Sequence, residues 1–202
     1  MTDPKGTGIE IDVSHGFEKF SKLGVAFAPI EFTKGAGLAL LEWVGRNFKA
    51  QGLESPWKPL SINTLAARRM GGRGAQILQD TGRLRQSFVP GAQENIYRTS
   101  ASEVTVGTAS EIAGVHEKGG RGAYTISPKS GKMLAFAVAG GFKVDRSANV
   151  GISRGTAFAK KVNHPALPQR KMLPSDSMAE KIVAEFAEAK VRQIVDKAES
   201  AS

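Results

Sequence analysis

Five arginines, Arg68, Arg69, Arg73, Arg83 and Arg85, fall within one span of the sequence in which Asp80 is the only acid. Clustered guanidinium groups are what binding a phosphate backbone or a strongly acidic protein surface requires. Aromatic residues interleaved with the arginines, the pattern that stacks single-stranded bases, are missing from this span. The alternative is a solvated face, or one that forms salt bridges with an acidic neighbour. Other chemistry is harder to assemble. Glu111 and Glu117 are not marked as a buried acid–base couple, and His116, beside Glu117 and Lys118 and just before Gly119-Gly120, reads as a hydrogen-bonded histidine at a turn. The sequence has no Gly-x-Ser-x-Gly elbow, phosphate loop or zinc-binding helix. His15, His116 and His164 are too scattered to suggest metal-ligand spacing, and there is no cysteine to supply thiolate ligands or disulfides. The expectation is a protein without enzymatic activity, metal or cofactor.

Trp57 stands between Pro56 and Pro59 in Ser-Pro-Trp-Lys-Pro-Leu-Ser (55–61). The prolines forbid a helix and favour an extended path. Such a tryptophan either offers a platform to a partner or plugs the core while the prolines fix the chain direction, and the core role is preferred.

The elements that must position these residues follow from hydrophobic period. Residues 1–14 form a polar N-terminal extension in which Ile9, Ile11 and Val13 alternate as an edge strand would. From His15 the spacing of Phe17, Phe20, Leu23 and Phe27 predicts a helix that Pro29 ends, and Leu40, Leu41, Val44 and Phe48 predict a second helix over about 33–51, stopped by Gly52. Ser61 or Asn63 is placed to cap a short helix that Gly-Gly-Arg-Gly (71–74) breaks. Asp80 or Thr81 is placed to cap another, on which Leu84 and Phe88 are partners four residues apart. Asn95–Thr99 and Glu103–Thr108 flank a Ser-Ala-Ser turn and read as a hairpin with Val104 and Val106 on one face. Ile112–His116 is an apolar piece suited to a helical turn.

Residues 119–156 are interrupted by glycines that include Gly119, Gly120, Gly140 and Gly141. Ala123–Ser127 and Met133–Ala139 survive as strands. The stretch from Gly140 to Thr156 reads as a long loop, and the region as a whole as a flexible insertion that becomes ordered on a partner or is merely tolerated. A last strand over Ala157–Asn163 leads to a C-terminal helix, opened by a Ser177–Glu180 capping box and striped by Met178, Ile182, Phe186, Val191, Ile194 and Val195. The fold expected is α+β: a small antiparallel sheet with N-terminal helices and a C-terminal helix packed on it, in one domain over 15–199.

The net charge of +9 favours acidic partners, whether nucleic acid or protein, and no block of like charges marks a basic arm. No apolar run reaches the length of a membrane span and no signal architecture opens the chain, so the expectation is a soluble intracellular product.

Several short segments, taken in order, carry a resemblance. Trp57, Pro59 and Leu60 stand where a Trp-x-Pro-Leu element belongs. Thr81, Gly82, Leu84 and Ser87 fit Leu-x-x-Thr-Gly-x-Leu-x-x-Ser; Val106-Gly107-Thr108 fits the end of a strand; His116 precedes Gly119; and Pro168, Arg170 and Leu173 fit Pro-x-Arg-x-x-Leu before the last helix. In that order, over about residues 40–190, the chain resembles the phage virion-morphogenesis (tail-completion) family. It departs in having Ala113-Gly114-Val115 where a Tyr-Ala pair often precedes the histidine, and in a longer, glycine-richer 117–160 region. The resemblance implies a structural protein of the head–tail joint, made in the host cytoplasm and incorporated into the virion. It implies a homo-oligomeric ring that contacts neck, connector and tail proteins, or the DNA passing through the channel. Trp57, Pro59, Leu60, Leu84 and Leu173 would then position the fold, while the arginines and residues 119–156 meet partners. The competing reading is a basic DNA-binding or DNA-packaging accessory protein. A hydrolase acting during infection lacks a catalytic constellation.

Overall fold

The computed structural model describes residues 9–12, 29–62, 64, 65, 68, 72, 74–120, 122–128, 134–137, 151–153, 156–164 and 166–200. The architecture is α+β. Three antiparallel strands, β1 (Ile9–Asp12), β2 (Asn95–Thr99) and β3 (Val104–Thr108), form the main sheet in the order β1-β3-β2. The hairpin pairs Thr99 with Val104 and Asn95 with Thr108, as the alternation predicts. On the other side of β3, Ile9 pairs with Thr108 and Asp12 with Thr105, so the alternating N-terminal piece is an edge strand.

Helix α1 (Pro29–Ala50) packs on β2 and β3, and α4 (Asp176–Glu199) packs on α1. Sheet, α1 and α4 therefore stack as successive layers with α1 in the middle. Two glycines make this close stacking possible. A Cβ at Gly37 would lie 2.7 Å from Val104 Cγ2 and 2.8 Å from Tyr97 Cε2, whereas one at Gly35 would collide with Phe186 Cζ. Two residues apart on a helix they look in nearly opposite directions, one towards the sheet and the other towards α4. Phe32, Ala36, Leu40, Val44 and Phe48 fill the core at four-residue spacing, joined by Val104 and Val106 from β3 and by Ala179, Ile182 and Val183 from α4. Phe48 meets Trp57 edge-on at 5.4 Å and Phe88 at 5.8 Å; each such pair is worth about 0.5–1.5 kcal/mol beyond simple burial. Trp57 is a core plug.

Several boundaries differ from the sequence expectation for identifiable reasons. Helix α1 begins at Pro29, ahead of the start expected near 33. At the first helical position the missing N–H costs no hydrogen bond, and Glu31 in the first turn suits the helix dipole. The predicted helix over 15–28 lies outside the described residues. The cap of α4 is Ser175, two residues before the Ser177 of the predicted box: its Oγ accepts from Met178 N at 3.3 Å and donates to Glu54 Oε1 at 2.5 Å. A tertiary contact to the carboxylate decides between the two serines. Helix α2 (Arg83–Gln86) has Gly82, at φ 75°, in its N-cap position. Ser61 does act as a cap, its Oγ accepting from Thr64 N at 3.2 Å.

After α3 (Glu111–Lys118) come short strands: β4 (Tyr124–Ile126), β5 (Leu134–Ala137), β6 (Gly151–Ser153), β7 (Thr156–Ala159) and β8 (Val162–His164). β4 pairs with β8, and β7 lies between β5 and β6, all antiparallel. The expected strands over 123–127 and 133–139 are present as β4 and β5. The expected loop over 140–156 contains β6, and the expected strand over 157–163 is divided at Lys160-Lys161 into β7 and β8, which pair with different partners.

Candidate functional site

Residues 166–174, the connection that leads into α4, form a strap held along its length by groups far away in sequence. Trp57 Nε1 donates to the Lys171 carbonyl at 2.9 Å. Asn47 Nδ2 donates to the Lys171 and Met172 carbonyls, both at 3.1 Å, while its Oδ1 accepts from Leu53 N at 2.6 Å. Glu117 Oε2 accepts from Met172 N at 2.6 Å, Arg170 N donates to the His116 carbonyl at 2.8 Å, and Arg170 Nη2 donates to the Lys58 carbonyl at 3.1 Å. The strap is thereby tied to α1, to the Trp57 segment and to the end of α3.

A second set of bonds joins the sheet to α2. Ser110 N donates to Thr108 Oγ1 at 3.1 Å, Thr108 Oγ1 to Ser87 Oγ at 2.8 Å, and Ser87 Oγ to the Leu84 carbonyl at 2.7 Å. All three residues that carry the relay are buried, and the Thr108 and Ser87 hydroxyls each act as donor and acceptor at once.

Between these fixed parts lies a groove of about 750 Å³. Its walls are the 58–61 segment, residues 78–84, α3 and the strap. Of the motif residues named from the sequence, Pro59, Leu60, Thr81, Gly82, Leu84, His116, Pro168 and Arg170 line it; Trp57 and Leu173 are buried in the core instead. Of the arginine cluster, Arg68 and Arg83 line the groove. Arg85 lies beside Phe88 and Val89 in a smaller depression against α1, and Arg69 and Arg73 lie outside the described residues. The cluster is therefore divided by the fold. Gly119 and Gly120 pack against the strap: a Cβ on Gly120 would come within 2.5 Å of Leu167 Cβ. Gly140 and Gly141 lie outside the described residues.

The electrostatics of the groove come from burial. Arg68 Nε is 3.4 Å from Asp80 Oδ1, and Arg83 Nη2 is 2.6 Å from Glu94 Oε1. Arg170 is only 5% exposed, and its Nε has no hydrogen-bond partner. Burial, then the nearby Arg68 charge, lowers its pKa. Burial and the Arg170 charge also lower that of His116, whose Nδ1 is likewise buried and unpartnered. Burial raises the pKa of Glu117, opposed by the backbone N–H groups of Met172 and Leu173. His116 and Glu117, adjacent in sequence, are thus held differently: the Glu117 carboxylate accepts from the strap's Met172 N–H, while the His116 ring has an unpartnered Nδ1. Among the described residues no group of carboxylates and histidines has the makings of a metal site, and no helix is long and apolar enough to cross a membrane.

The model of the phage virion morphogenesis family matches residues 30–192, most of the chain. The chain belongs to that family. The match begins at the start of α1 and ends within α4, so it takes in both the layered core and the groove. No curated protein and no solved structure matches the chain. Membership of the phage virion morphogenesis family supports a role in building the virion.

Sequence reasoning missed Asn47 and the structural use of Glu117. Their partners lie 124 and 55 residues away, and no local spacing signals them.

Proposed function

We propose that this chain is a non-enzymatic virion protein that completes or joins the head–tail interface, acting as a closed ring of identical copies. Family membership supplies the assembly role. The observation that favours contact over turnover is the groove itself, whose lining sets Lys58, Arg68, Arg83 and Arg170 among apolar motif residues such as Pro59, Leu60 and Leu84. In a ring, one heterologous interface repeats until rotation closes it, and modest contacts to neighbouring proteins multiply.

Disrupting the gene and imaging the lysate by negative-stain electron microscopy tests the proposal. Filled heads and separate tails accumulating side by side are expected. Normally joined particles, or heads without DNA, would overturn it. The net charge of +9 favours a second reading, DNA binding or packaging. That reading requires tight, salt-sensitive binding of duplex DNA by the isolated chain, whereas the joining role predicts binding that vanishes near physiological salt.

A further inference from the structure

The groove holds a cation that the fold keeps at a cost. Removing a guanidinium from water is unfavourable unless its donors are matched. Arg170 is buried, gives one bond to the Lys58 carbonyl, and leaves Nε without a partner. Asp80 and Glu94 answer Arg68 and Arg83, but among the described residues no carboxylate pairs with Arg170 or with the exposed Lys58. A carboxylate is the group that such a fork binds well.

Apolar surface lies beside the charge. Leu60, Leu84, Leu167 and Pro168 line the same groove, and Ile112, 53% exposed, stands on its wall. A nucleic-acid backbone would satisfy the cations and leave these side chains uncovered, whereas a peptide carries acid and apolar groups together. A second copy of a chain with net charge +9 is electrostatically the wrong occupant. We infer that the groove is the docking site for an acidic segment of a different protein, with a carboxylate facing Arg170 and Lys58 and an apolar side chain covering Leu60, Leu167 and Ile112. The inference rests on the proposed assembly role and names the chemistry of its partner.

Panning a library of short random peptides against the immobilised full chain tests it. The selected peptides are expected to combine Asp or Glu with Leu, Ile or Phe. A synthetic peptide of the consensus should lose affinity about tenfold with Lys58→Glu and, separately, with Ile112→Asp, as charge and apolar cover are removed in turn. Both positions are exposed, so circular dichroism and thermal unfolding should match the wild type and exclude misfolding as the cause. Enrichment of neutral or basic peptides, no enrichment, or a consensus peptide indifferent to both substitutions would overturn the inference. So would displacement of the peptide by short duplex DNA at physiological salt. Because only the isolated chain is used, failure here leaves the electron-microscopy test of the joining role standing.

Discussion

Asn47 is the residue whose loss should cost the core most for its size. It is 1% exposed and serves three backbone groups: the Lys171 and Met172 carbonyls and the Leu53 N–H. In Asn47→Ala the three groups fare differently. The Lys171 carbonyl keeps the Trp57 indole as donor. The Leu53 N–H lies in a part-buried bond near an exposed residue, where water can replace the amide. The Met172 carbonyl, in a buried bond, is left unsatisfied, which alone costs about 1–3 kcal/mol, and the other two bonds add about 0.5–1.5 kcal/mol each. The expected loss is roughly 2–6 kcal/mol, a large fraction of the ~5–15 kcal/mol that holds a typical domain together. Trp57→Phe is the matched control. It removes one donor from a carbonyl that Asn47 still serves and keeps an aromatic plug against Phe48, so it should cost about 1–2 kcal/mol. Urea denaturation of the two variants and the wild type, with equal slopes, gives the comparison. An Asn47→Ala loss below about 1 kcal/mol, or no larger than that of Trp57→Phe, would refute the accounting of the strap's bonds.

Gly52→Ala should destabilise by at least about 1–3 kcal/mol in the same assay, because φ is 107° there and a Cβ would collide with the Ser55 carbonyl oxygen; an unchanged midpoint would show that the turn relaxes freely. The pH dependence carries two opposed slopes. His116 has a lowered folded pKa, so its contribution is complete above the unfolded value near 6.5 and is lost as pH falls through the folded value. Glu117 has a raised folded pKa, so its contribution is present below about 4.5 and is lost as pH rises through the folded value. His116→Gln should therefore remove the part of the acid-side loss that begins near 6.5, as read from urea midpoints across pH; an unchanged profile would contradict the burial of the neutral ring.

The core was legible because it is made of local pattern. The stripe of α1, the alternation of β2 and β3, and the stripe of α4 each repeat often enough to declare their period. Short elements were not: β6 is three residues in a glycine-rich stretch, too few to show alternation, and the Lys160-Lys161 break between β7 and β8 looks like any polar step in a strand. Cap positions failed where a distant group decided them, as Glu54 does for Ser175. The groove was foreshadowed by motif order and not by spacing. Arg170 and Lys58 stand 112 residues apart, and only the fold shows that Arg68 and Arg83 share a wall while Arg85 does not.

The strap over 166–174 also sets a timetable. Chains emerge from the ribosome N-terminus first, so α1, Trp57 and α3 are all synthesised before the residues that tie them together. Until Arg170, Lys171 and Met172 arrive, Asn47 and Glu117 lack their partners and the groove lacks one wall. The long sequence separations make this closure a late step of folding. A chain still being made thus has no finished groove until the strap itself has been synthesised.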